Sequence, residues 1–221
     1  MAKGEQRLIL ITGTSSGIGK ETAKRFLLEG DTVYGLDCKS ATIEHQNYFH
    51  FICDVGEKES LPELEGINII VNNAGTIEEE DAIKTNLLGY INVGEKYAFQ
   101  PTVECVVNVG SISGRVGLDT PCYSASQGGR IAYTKNLAIR LKKPVNLVSF
   151  GAVLSGLEPY LYEQPNLVEA VAGENLLNKW IMPEEAAEWV FFVATRNHSM
   201  TGQDILIDNG EEAKYNFIKA R

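Results

Sequence analysis

The amino-acid sequence predicts an α/β fold, a doubly wound parallel sheet of about seven strands with helices on both faces. Three observations carry this expectation. Short apolar runs alternate with amphipathic stretches along the whole chain. The runs are rich in Val, Ile and Leu with little polar alternation, the pattern of strands covered on both faces. A length of 221 residues, 44% of them hydrophobic, suits one large domain over 1–221 with a sizeable core.

In chain order, residues 7–12 read as the first strand, ended by Gly13, and 17–29 as an amphipathic helix. Strands follow at 32–37 and 48–53. The link over 54–67 is brief and holds Pro62, which predicts a short or irregular helix there. Residues 68–72 form the fourth strand, and the acidic run 78–81 reads as the solvated start of a helix, where negative charge is favourable. Helical spacing returns over 85–99, and a fifth strand over 103–109. In 123–141, Ile131, Ala138 and Leu141 recur on a helical period, and 145–150 is the sixth strand. Residues 184–194 and 203–208 complete the pattern as a helix and a strand, and the alternation implies right-handed crossovers.

The stretch 152–180 differs from the rest. It is long and broken by Pro159, Pro165 and Gly173, yet it carries Leu154, Leu157, Tyr160, Leu161, Tyr162 and Trp180. Long connections with their own apolar residues serve as lids or binding loops. These side chains fit either an apolar wall of a substrate pocket or the core packing of a lid helix.

Charge and cysteine usage exclude several classes. The chain has 20 Lys+Arg against 29 Asp+Glu, a formal charge of −9, which argues against nucleic-acid binding because that needs clustered cations. No apolar run reaches the ~18–20 residues of a membrane span. The run 8–11 after Lys3 and Arg7 ends too early for a secretory signal. Cys38, Cys53, Cys105 and Cys122 are widely spread, and His45, His50 and His198 fall at no metal-ligand spacing with them, so neither a zinc site nor a disulfide framework is expected. The expected setting is cytoplasmic, with reduced thiols and no bound metal.

The first strand runs directly into Thr12-Gly13-Thr14-Ser15-Ser16-Gly17-Ile18-Gly19 and then a helix. Gly13, Gly17 and Gly19 remove the side chains that would hold a pyrophosphate away from the backbone, and they present a helix N-terminus to it. Three glycines could serve turn geometry alone. The flanking strand and helix, with Asp37 ending the second strand about 20 residues past Gly17, favour a dinucleotide site of the Rossmann type. A carboxylate at Asp37 accepts from ribose hydroxyls and repels a 2′-phosphate, which favours NAD(H). Ser16 stands just before Gly17 with no basic residue in the turn, while Lys20 and Lys39 nearby leave NADP(H) open.

With these motifs the sequence resembles the short-chain dehydrogenase/reductase family over essentially its full length. The spacing Thr-Gly-x-x-x-Gly-x-Gly at 12–19 is similar to that family's glycine turn, with Ser15, Ser16 and Ile18 inside it. Asp54-Val55 resembles its adenine-contacting pair, and Asn72-Asn73-Ala74-Gly75 its motif after the fourth strand. The resemblance implies a catalytic set of Asn86, Ser111 and Tyr123, the last opening Tyr123-Ser124-Ala125-Ser126. It implies that Ser111 holds the substrate oxygen, that Tyr123 donates or accepts the proton, and that Asn86 anchors a water of the relay. It implies nicotinamide contacts from Gly151, Val153 and Ser155, and pairing through the helices carrying Asn86 and Tyr123 into a homodimer or homotetramer. Taken singly, Tyr123 would be a core aromatic and Ser111 a strand-end hydroxyl; their joint placement favours a site.

The chain departs from the family pattern where it matters chemically. The signature lysine position is Gln127, Phe150-Gly151 stands for Pro-Gly, Asp208-Asn209-Gly210 for Asp-Gly-Gly, and the segments around Asn73 are short. Tyrosine ionises near pH ~10, so it is a poor base at neutral pH without help. A cation at ~4 Å with an effective dielectric near 20 would supply about 4 kcal/mol. Gln127 can bind ribose hydroxyls but carries no charge. Arg130, seven residues past Tyr123, lies near the same helix face as a candidate donor of that charge, or is a solvated or interface arginine. Two readings remain: an NAD(H)-dependent oxidoreductase interconverting an alcohol and a ketone or aldehyde, impaired by Gln127, or an NAD(H)-binding pseudoenzyme serving as a sensor or interaction module. Gln127→Lys is expected on this basis to raise turnover about 10²-fold. The expected partner is a small alcohol or carbonyl compound, with no nucleic acid and no membrane.

Overall fold

In the computed structural model, residues 6–156 and 164–213 are described. The strands are β1 (Leu8–Thr12), β2 (Thr32–Asp37), β3 (Tyr48–Ile52), β4 (Ile69–Asn72), β5 (Cys105–Ser111), β6 (Val145–Phe150) and β7 (Asp204–Ile207). They form one parallel sheet in the order β3-β2-β1-β4-β5-β6-β7. The helices are α1 (Gly17–Leu28), α2 (Glu79–Ile83), α3 (Gly89–Tyr97), α4 (Ser113–Val116), α5 (Pro121–Leu141), α6 (Pro165–Ala172) and α7 (Pro183–Thr195). This is the doubly wound α/β architecture that the strand–helix alternation predicts.

The absence of polar alternation has a direct cause. Ile9 and Ile11 point into one core with Phe26 of α1 and Phe191 of α7, whose rings meet edge-on at 5.0 Å. Leu10, between them, points into a second core with Tyr90 and Tyr97 of α3 and Leu137 of α5. β1 is therefore apolar on both faces. Burying one such Leu, Ile or Phe contributes roughly 1.5–3 kcal/mol. A fork between Arg7 and Asp31, with Nε to Oδ1 at 2.9 Å, fixes the start of β1 to the loop before β2.

Element boundaries differ from expectation most at β5 and in the helix that precedes it. β5 begins at Cys105 and continues to Ser111, because its register with β6 carries Gly110 opposite Ser149 and Ser111 opposite Phe150. The link before β4 holds a single 3₁₀ turn, Lys58–Ser60, in keeping with Pro62. The helix expected over 85–99 starts earlier, at Glu79, and passes through a wide π turn, Lys84–Leu88, before α3. Within 152–180, α6 is a helix and Trp180 donates from Nε1 to the Val168 carbonyl at 2.8 Å. Leu157, Pro159, Tyr160, Leu161 and Tyr162 lie outside the described residues. Among the described residues, no helix is long and apolar enough to cross a membrane.

β1 sits between β2 and β4, so the connections on its two sides run in opposite directions. The crevice outside the carboxyl ends of β1 and β4 is where ligands bind in such sheets.

Candidate active site

The first wall of that crevice is the turn between β1 and α1. Thr12 closes β1, and its Oγ1 accepts the N–H groups of Asn73 and Ala74, both at 2.9 Å, locking the end of β4 to the turn. Gly13 and Gly17 have φ of 76° and 55°, the left-handed region that favours glycine. A Cβ at Gly19 would lie 2.1 Å from the Gly13 carbonyl oxygen and 2.4 Å from Asn73 Nδ2, so α1 starts as close to β1 as the backbone permits. Its N-cap, Ser16, makes no side-chain capping bond, and its first turn has no acidic residue. The positive end of α1 is left to the crevice, the arrangement that suits a phosphate.

Asp37, at the end of β2, accepts from the Ser15 N–H through Oδ2 and from the Lys39 N–H through Oδ1, each at 2.9 Å. These bonds fix the carboxylate beside the turn, and each oxygen keeps a lone pair for a ribose hydroxyl. Ser15 itself faces away, its Oγ donating to the Ser40 carbonyl at 2.9 Å. Asp54 is held by Lys84, 3.2 Å from Nζ to Oδ2, and by the Gly56 N–H at 2.8 Å. Burial pushes the Cys53 thiol up to about 11, with Asp54 and Asp37 adding to it, so it is protonated at neutral pH and supplies no nucleophile.

The other end of the crevice is built on the π turn and α5. Asn86 is fully buried; its Oδ1 accepts the Thr76 N–H at 2.8 Å and its Nδ2 donates to the Thr76 carbonyl at 2.9 Å. Its backbone carbonyl accepts from Arg130 Nε at 2.5 Å. This carbonyl of the wide turn is thus held by a side chain. The side-chain atoms and the backbone oxygen of Asn86 thus all have protein partners. Gln127 is buried, its Oε1 accepting from Arg130 Nη1 at 3.0 Å. Arg130 also donates to the carbonyls of Val109 at 2.9 Å and Ala74 at 3.3 Å, and its Cζ stands 3.9 Å over the Tyr90 ring. The solvated or interface arginine is therefore not what the fold builds.

These two ends share one cleft of about 720 Å³. Its wall runs from Gly13, Ser16, Gly17 and Ile18 past Asp37, Asp54 and Val55 to Asn73, Ala74 and Gly75, then to Asn86, Tyr123, Gln127 and Ser155. Five residues assigned from sequence stand outside it. Ser15 and Gly19 lie behind the turn, as described. Ser111 ends β5 one residue past the wall at Gly110, its Oγ accepting the Ser113 N–H at 3.1 Å. Gly151 packs against Asp208 and Glu211, and Val153 bridges to Ile181 in the core. Lys84 and Thr76 line the cleft without having been foreseen. Lys84 follows the acidic run on the same helical stretch, and only the fold brings it to Asp54.

Residues 7–166 match the family model described as short chain dehydrogenase. The chain belongs to that family. Among its relatives, the short-chain dehydrogenase chain is 30% identical over 242 residues to the 3-oxoacyl acyl-carrier-protein reductase of Thermotoga maritima, covering 93% of this chain and 98% of that protein. It is 27% identical to the cyclopentanol dehydrogenase of a Comamonas species, covering 96% and 100%. The ligand-free aldohexose dehydrogenase of Thermoplasma acidophilum shares the fold with a TM-score of 0.88 at 23% identity, over 98% of both chains. Membership makes this short-chain dehydrogenase an oxidoreductase of the dehydrogenase/reductase class.

Proposed function

We propose that the chain is an NAD(H)-dependent oxidoreductase interconverting an alcohol and a ketone or aldehyde by hydride transfer. The observation that carries this reading is the single cleft wall joining the glycine turn and Asp37 to Asn86, Tyr123 and Gln127.

The residues present fit a dinucleotide. A glycine turn whose φ values exclude ordinary side chains opens onto an uncapped helix N-terminus, and a carboxylate held by two amides stands at the end of β2. Gly13, Ser16, Gly17 and Ile18 would hold the pyrophosphate, and Asp37 the adenosine ribose. Asp54 and Val55 would flank the adenine, and Asn73, Ala74, Gly75 and Ser155 the nicotinamide half. When bound, the nicotinamide supplies or takes the hydride. Asp37 disfavours a 2′-phosphate by charge, which supports NAD(H) over NADP(H).

The chain's own residues handle the oxygen and its proton. A carbonyl oxygen gains negative charge as it is reduced and needs donors aimed at it. Ser111 Oγ accepts from Ser113 and so keeps its own hydrogen to give to that oxygen. Tyr123, in the cleft wall, gives its phenolic proton to the alkoxide, or removes one from an alcohol in the reverse direction. Gln127, its oxygen committed to Arg130, offers its amide hydrogens to the ribose.

The reading is tested by NADH fluorescence titration and by turnover on a panel of cyclic and linear ketones. Tyr123→Phe is expected to lower turnover by about 10²-fold or more with NADH affinity kept within a few-fold. Binding without turnover on any substrate would favour the sensor reading; absence of binding would overturn both. Exposed Leu88, Phe99 and Ile139, on or beside α3 and α5, support the homodimer or homotetramer as the assembly, which light scattering would measure.

A further inference from the structure

We propose that Arg130 supplies the fixed positive charge that Tyr123 needs for proton transfer, acting from the buried side of α5 through space and through Gln127. The proposal rests on the oxidoreductase reading above and deepens it.

Arg130 is 4% exposed, and burying a guanidinium without a counter-ion is among the costliest placements a fold makes. Carboxylates are plentiful in this chain. Arg7 has Asp31, Arg25 has Glu29 and Glu188, Arg115 has Asp204 and Glu212, and Arg140 has Glu95. Arg130 has none among the described residues. Its acceptors are the carbonyls of Asn86, Val109 and Ala74, the amide oxygen of Gln127 and the face of Tyr90, all neutral. Neutral dipoles hold the group in place without cancelling its charge. These donors also satisfy buried carbonyls, so the charge and the hydrogen bonds have to be separated by experiment.

The charge also has a receiver. Arg130 and Tyr123 line the same cleft; burial lowers the Arg130 pKa, and the phenolates that oppose this are those of Tyr90 and Tyr123. Such coupling is reciprocal, so the guanidinium favours ionised tyrosine. Tyr90 is fully buried, donates to the Val109 carbonyl at 2.9 Å and is pushed up to about 12 by burial, so it keeps its proton. Tyr123 is left as the responsive group. The other charged groups around it do not take this role. Glu79 of α2 accepts the neighbouring Cys122 N–H at 2.8 Å, Asp81 is an anion, and Lys84 pairs with Asp54 and Glu57. Where the family pattern has lysine at 127, the chain keeps one cation for the phenol and moves it to 130.

The experiment reads the phenol itself, without cofactor or substrate. Ultraviolet difference titration of each protein against the same protein carrying Tyr123→Phe isolates this one of the 9 tyrosines. In the wild type, Tyr123 is expected to ionise below the ordinary ~10. Arg130→Met is expected to raise that midpoint by about one pH unit or more, and Arg130→Lys to restore most of it. The basic limb of kcat against pH should move in step. A wild-type midpoint at or above 10, or an unchanged midpoint in folded Arg130→Met, overturns the proposal; the first criterion holds even where Arg130→Met fails to fold. A shifted midpoint in a protein that turns over no ketone would leave Arg130 in this role and remove the oxidoreductase reading instead.

Discussion

Arg130 donates from Nη1 to Oε1 of Gln127 at 3.0 Å, so the oxygen of this amide is committed and its Nε2 end holds the hydrogens left to give. Judged from the family signature alone, Gln127 is the loss of a charge. In the folded chain it is a neutral neighbour of a charge three residues on.

That relationship reverses the expectation for Gln127→Lys. An ammonium would stand beside an already buried guanidinium, and like charges at such range repel. The expected outcome is a gain in turnover of less than about threefold at pH 7, against about 10²-fold were the site uncharged. Stability should fall by about 1–3 kcal/mol. Steady-state kinetics and urea denaturation check both; a hundredfold gain would mean that Arg130 does not serve Tyr123.

Asp37→Asn keeps a hydrogen-bonding side chain beside Ser15 and Lys39 and removes the negative charge. NADH affinity should fall by about tenfold, and the ratio of NADPH to NADH affinity should rise by about tenfold or more. Fluorescence titration with both nucleotides reads the change, and an unmoved ratio would count against Asp37 as the ribose partner.

Gly19→Ala tests the turn from behind. The new methyl would meet the Gly13 carbonyl and Asn73 Nδ2, neither of which is the loose end of a flexible chain. Opening the turn should weaken NADH binding by about 10²-fold and lower stability by about 1–3 kcal/mol. Calorimetry and thermal melting report the two effects separately.

Glu211 gives a pH-dependent prediction. Burial raises its carboxyl above the ordinary range, with only the Ala152 N–H, 3.4 Å away, opposing. The folded state thus holds this proton more tightly than the unfolded state, so stability is lost as pH rises from the unfolded value of 4.5 through the folded pKa. Glu211→Gln removes that loss. Its melting temperature at pH 7 should exceed wild type by about 1–3 °C, and the difference should vanish near pH 4. A constant difference across pH would reject the assignment.

The fold was legible because its pattern is local. Ile9, Leu10 and Ile11 announce a strand covered on both sides, and Gly13, Gly17 and Gly19 a tight turn into a helix, without reference to distant residues. The cleft was legible to the same depth at Asp37, Asn86, Tyr123 and Gln127. What could not be read was tertiary in origin. The partners of Arg130 are backbone carbonyls from three separate segments, and carbonyls have no sequence signature. The π turn that carries Asn86 and the reach of Lys84 to Asp54 likewise depend on how α2, α3 and α5 meet.

Consecutive residues of β1 belong to different neighbourhoods. Ile9 and Ile11 answer to Phe26 and Phe191, Leu10 to Tyr90 and Leu137, and the sheet between them acts as a partition. Substitutions on opposite sides of that partition should combine additively within ~0.5 kcal/mol even when adjacent in sequence, whereas Ile9 with Phe26 should not. The chain is in this sense free to vary as two half-independent interiors bound by one backbone.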